Sequence, residues 1–113
     1  MLYKMNLAVK PFIKIKEGKK TIEMRLNNKD RNKIKSGDQI LFTNQSSGEQ
    51  ILTDVISVSR FSSFDELYGH FDKTRLGYEA NETADPKDML IYYNEHDIVT
   101  FGVLAIEIKL NKL

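Results

Sequence analysis

From Gly18 to Arg25 the chain reads Gly-Lys-Lys-Thr-Ile-Glu-Met-Arg, which crowds Lys19, Lys20, Thr21, Glu23 and Arg25 into one short segment. Arg25 offers a planar fork of donors suited to a phosphate or a base edge, and Lys20 offers a compact charge. Glu23 accepts from an exocyclic amine or orients the cations beside it. A carboxylate is a poor phosphate ligand, so its presence points to recognition of more than a phosphate backbone. The plainer alternative is an ion pair between Glu23 and Arg25, which share a strand face at i, i+2 and would contribute ~0–1 kcal/mol if exposed. Both readings hold together, because a paired Arg25 keeps donors for a ligand.

The same residues could also carry catalysis. Burial would lower the pKa of Lys20 and make it a base or nucleophile, with Glu23 moving protons and Arg25 steadying an oxyanion. Lys29, Arg31, Lys33 and Lys35 follow directly. As phosphate contacts, Lys29, Arg31 and Lys33 would make binding of a polyanion weaken as salt rises. Tyr78 lies in an irregular stretch and is the best placed aromatic for stacking on a base. His70 and His96 lack ligand spacing and the chain has no cysteine, so neither metal nor cofactor is expected. Ser46, Ser47, Ser62 and Ser63 read as turn and cap residues.

Formal net charge is only +1, yet it is unevenly distributed. From Lys4 to Lys35 eleven Lys/Arg stand against three acids, a balance of +8, while the other segments hold six against thirteen, a balance of −7. That asymmetry suits a face built for anions. No stretch is apolar and long enough to cross a bilayer, and the first residues lack the apolar core of a signal peptide. A cytoplasmic location is the expectation.

These side chains need elements to hold them. Residues 20–26 alternate, with Ile22, Met24 and Leu26 on one face and Thr21, Glu23 and Arg25 on the other. Further strands are expected over 2–8, 39–43, 50–60 and 98–110, the last apolar on both parities and therefore central. A short helix fits 11–17, ended by Gly18. Asn27 or Asn28 opens a basic helical turn to Ile34, and 44–49 is a hairpin loop. Ser63 and Glu66 have capping-box spacing before a helix with Phe64, Leu67, Tyr68 and Phe71 on its apolar stripe. Residues 72–84 read as a polar irregular stretch, and Asp85-Pro86 starts another helix. With 113 residues, 41% of them hydrophobic, the chain is one domain spanning 1–113, of α+β class.

The Gly18-Lys20-Glu23-Arg25 spacing resembles the G-x-K-x-x-E-x-R hallmark of the ASCH family. Gly37-Asp38 before a strand, Tyr92-Tyr93, and Gly102-Val103 in a closing strand fall in the family order. The resemblance implies a small PUA-like β-barrel of about five to six strands with short helices. It also implies an RNA, nucleotide or nucleoside partner for a polar cleft over the signature strand. Some small ASCH proteins are similar to N4-acetylcytidine amidohydrolases, which use a Lys, a Thr and a Glu. The lysine falls on Lys20, the threonine position holds Glu23, and the glutamate lies in the region of Glu79 and Glu82. A metal-independent ribonuclease is the remaining alternative, and oligomeric state is left open.

Overall fold

The computed structural model describes residues 1–112. Nine elements follow in order: strand β1 (Leu2–Leu7), helix α1 (Val9–Lys16), strands β2 (Ile22–Leu26), β3 (Gln39–Asn44) and β4 (Gln50–Phe61), helix α2 (Phe64–His70), a 3-10 helix (Pro86–Ile91), helix α3 (Glu95–Phe101) and strand β5 (Val103–Leu110). The five strands form one mixed sheet in the order β1-β3-β4-β5-β2. β1 runs parallel to β3 and the other pairings are antiparallel.

β4 is the strand that curls the sheet. Its first residues pair with β3, from Thr43↔Gln50 to Gln39↔Asp54, and its later ones with β5, from Thr53↔Leu110 to Phe61↔Val103. The register slips between Val55 and Ser57, and such a bulge bends and twists a strand. The result is an α+β half-barrel with β1 and β2 as its outer margins, in agreement with the expected class.

Two apolar clusters hold it together. The first fills the concave side with Met5, Leu7, Phe12, Ile15, Ile34, Ile40, Phe42, Val55, Leu104, Ile106 and Ile108. The second lies behind β2, where Ile22, Met24, Leu26, Val103 and Ala105 meet Phe64 and Leu67 of α2, Leu76 and Met89. β5 therefore feeds both cores on alternate residues, which is why its sequence is apolar on both parities.

Three expectations change. The strand begins at Val103 and not at residue 98, because residues 95–101 form α3. Asn94 caps that helix by accepting from the Asp97 amide at 2.8 Å. Gly102 ends it at φ 72 and ψ −173, and a Cβ there would lie 2.9 Å from the Phe61 carbonyl oxygen. The Asp85-Pro86 helix is 3-10 throughout, with Asp85 accepting from the Lys87 amide. The stretch 72–84 is not peripheral either, since Leu76 is buried in the second core.

Candidate functional site

In antiparallel pairs, residues directly opposite each other share a face. Glu23 pairs with Ile106 and Arg25 with Leu104, both members of the concave core, so the two charged side chains point into the half-barrel. Lys20 precedes β2 and turns in beside them. Lys20 is 6% and Glu23 4% exposed. Arg25 Nε donates to Glu23 Oε2 at 2.7 Å, and Lys20 Nζ lies 3.5 Å from Glu23 Oε1.

Each cation also gives one donor to a backbone carbonyl. Lys20 Nζ donates to the Leu76 carbonyl at 3.0 Å, and Arg25 Nη2 donates to the Asn6 carbonyl at 3.0 Å. The turn through Leu76 and Gly77 thus cradles Lys20. Gly77 has φ 107 and a Cβ there would stand 3.2 Å from Lys20 Cδ, so the glycine lets the lysine stem pass. Thr21 and Ile22 amides both donate to the Arg75 carbonyl, which anchors this turn to the start of β2.

The electrostatics follow from burial. Desolvation lowers the Lys20 pKa, and the attraction of Glu23 only partly offsets this. Desolvation pushes the Glu23 carboxyl up, but Arg25 and Lys20 together outweigh it and hold it below the ordinary carboxylate range. Glu23 is therefore an anion bound to the permanently charged Arg25, and Lys20 is the group whose proton is held loosely. Two cations against one carboxylate leave this trio positive when Lys20 is protonated.

The trio lines a cleft of about 800 Å³. Cations at the cleft are Lys4, Lys10, Lys14, Lys20, Arg25 and Arg31, against Glu23, Glu82 and Asp88. Tyr68, Tyr78, Tyr92 and Tyr93 supply its aromatic wall. Tyr78 Oη is 2.8 Å from Tyr68 Oη and donates to Asp88 Oδ2 at 2.7 Å. Burial, then the bonds to Tyr68 and Asp88, push its pKa far up, so it stays a neutral phenol. Tyr93 stacks on Phe64 with ring centroids 6.1 Å apart, and burial raises its pKa while Arg25 and Arg31 pull it back.

The structure brings together Lys20, Glu23, Arg25, Tyr78 and Arg31 at this cleft. Lys19 does not line it and instead sits 3.6 Å from Glu17. Thr21 does not line it either: its hydroxyl accepts from Arg75 Nε at 3.0 Å, and Arg75 Nη2 donates to Glu107 at 2.9 Å. The break in alternation follows from β2 starting only at Ile22. Lys29 and Lys33 project from the turn after β2, outside the cleft lining. Of the two carboxylates in the 79–82 stretch, Glu82 lines the cleft while Glu79 pairs with Lys14.

Sequence reasoning does not reach Lys14 or Asn6. Lys10 and Lys14 are spaced i, i+4 on α1, a signal that both stand on one helix face. Asn6 takes part through its carbonyl, which no side-chain pattern can announce.

Comparison with known proteins places this arrangement. The ASCH domain profile matches residues 5–111. The chain belongs to the ASCH family. The crystal structure of the hypothetical protein PH0355 is similar over 98% of this chain and 100% of its own, with 30% identity and a TM-score of 0.79. The solution structure of PF0455 from Pyrococcus furiosus covers 100% of both chains at 28% identity and a TM-score of 0.71. A variant of the ASCH protein from Zymomonas mobilis shares the fold at 14% identity and a TM-score of 0.65, over 96% of this chain and 67% of that one. No curated protein matches. The ASCH chain thus folds as a five-strand half-barrel with short helices, and Lys20, Glu23 and Arg25 stand where β2 meets the cleft.

Proposed function

We propose that the cleft binds RNA or a nucleotide, with Lys20, Glu23 and Arg25 meeting the base and the surrounding cations meeting phosphate. One observation carries this reading. The buried Lys20 and Glu23 and the half-buried Arg25 line an open cleft where six cations outnumber three carboxylates. Burying ionised groups costs several kcal/mol apiece unless they are well paired, so a fold that needed only stability would gain as much from apolar residues of similar volume. A spare Lys20 proton and the Arg25 donors suit acceptors on a base, and a free lone pair on Glu23 suits an amine. The family is one proposed to bind RNA, which agrees.

The test is anisotropy titration of labelled single-stranded RNA and of 5′-mononucleotides across a salt series. Affinity should fall as salt rises, and Arg31→Ala should weaken RNA binding without shifting the melting temperature. Retention that is absent, or indifferent to salt, would overturn the proposal.

A second reading is favoured by the loosely held Lys20 proton, 3.5 Å from a carboxylate. Lys20 would activate water against an N4-acylated nucleoside, with Glu23 passing the proton on. Glu23 stands at the family's threonine position, so the acyl group would pass directly to water. Mass analysis for acetate released from N4-acetylcytidine, and for RNA fragments, separates turnover from binding; loss of product in Lys20→Ala is the expected signature.

A further inference from the structure

Beside the cleft the last residue of the 3-10 helix and the residue capping it present two large side chains to solvent. Ile91 is 79% and Tyr92 57% exposed, although both also line the cleft. Large apolar groups side by side in water are unusual where an inward rotation could bury them. Here the backbone prevents it. Met89 is locked into the second core, Asp85 caps the start of the segment, and the Tyr92 and Tyr93 amides both donate to the Met89 carbonyl at 3.1 Å. Tyr93 takes the inward place instead, stacked on Phe64, with its ring centroid 6.4 Å from that of Tyr92. The result is a preordered ledge leading outward from the cleft. Arg31 lines the same cleft, where its charge opposes the burial that raises the Tyr93 pKa.

We infer that this ledge is a second nucleotide place, so that the ligand is a single-stranded oligonucleotide of at least two units. The inference rests on the nucleotide-binding reading of the cleft and names its substrate class. One base enters the cleft, the base of the neighbouring unit lies on Tyr92 and Ile91, and the Arg31 guanidinium holds the phosphate between them. Charge complementarity selects this occupant over an apolar protein surface: the ledge adjoins a cleft whose lining carries more cations than carboxylates, which suits a chain that alternates flat bases with anions. A duplex would not serve, because its bases remain stacked on one another.

The experiment is a length series of RNA, from 5′-mononucleotide through dinucleotide to hexanucleotide, titrated by calorimetry against the whole chain. The first added nucleotide should tighten binding about five- to 150-fold, the worth of one stacked base at ~1–3 kcal/mol. Tyr92→Ala should erase that increment, and Tyr92→Phe should restore it, since stacking needs the ring and not the hydroxyl. Equal affinity for mononucleotide and dinucleotide overturns the ledge and leaves the cleft reading standing. So does a Tyr92→Ala protein that retains the increment. A failure of every length to bind overturns both.

Discussion

Glu23 sits between a cation that cannot lose its proton and one that burial makes give up its proton more readily than an ordinary lysine. Removing Arg25 would leave Glu23 buried with only Lys20 at 3.5 Å, so Arg25→Ala should cost about 3–5 kcal/mol in denaturant titration, and adding Glu23→Gln should restore part of it. The pH dependence has two signs. Glu23 has its pKa depressed in the folded chain, so the stability it contributes is complete above its ordinary value of 4.5 and is lost as pH falls through the lower folded value. Lys20 is also depressed, from 10.5, so the unfolded chain holds that proton more tightly. Stability should therefore rise with pH from the folded value up to 10.5, and this rise should vanish in Lys20→Met when melting temperatures are compared across pH. Strand alternation was enough to pair Glu23 with Arg25 from sequence. It was not enough for Thr21, because the ladder begins one residue later and Arg75, distant in sequence, captures that hydroxyl.

At the level of elements, the half-barrel was legible wherever one face alternates, as in β2, or a cap stands clear, as at Ser63, whose side chain accepts from the Glu66 amide at 3.2 Å. Residues 98–101 misled because Ile98, Val99 and Phe101 run into an apolar strand with only Thr100 and Gly102 between. Periodicity cannot separate a short apolar helix from a buried strand, and the cap at Asn94 with the stop at Gly102 was the better signal. Gly102 occupies a backbone region essentially restricted to glycine, and its close approach to Phe61 leaves no space for a side chain. Gly102→Ala should destabilise the chain by about 1–3 kcal/mol or more, read as a lower denaturant midpoint with unchanged slope. The cradle formed by Leu76 and Gly77 was not legible at all, since it depends on a turn folding back across more than fifty residues to meet Lys20.

Across the whole molecule, near-neutral net charge conceals a cleft with a positive lining. Removing one cation that neutralises a phosphate should flatten the dependence of log affinity on log salt by ~0.7 for single strands, so Arg31→Ala should change the slope and Lys19→Ala should leave it alone. The two apolar clusters share β5, with Leu104 and Ile106 on one side and Val103 and Ala105 on the other, so the layers should melt together. Ile106→Ala should cost about 2–5 kcal/mol and shift circular dichroism of strands and helices at one temperature.

The hydrogen bond from Arg25 to the Asn6 carbonyl joins the two marginal strands, which no backbone ladder connects. A terminal strand with unsatisfied acceptors is a template on which another molecule's strand can dock, and folded proteins commonly block it with a charged side chain. Arg25 is thus also a guard against aggregation: a charge-neutral replacement such as Arg25→Met leaves that acceptor open, and light scattering of concentrated protein should register the oligomers that follow.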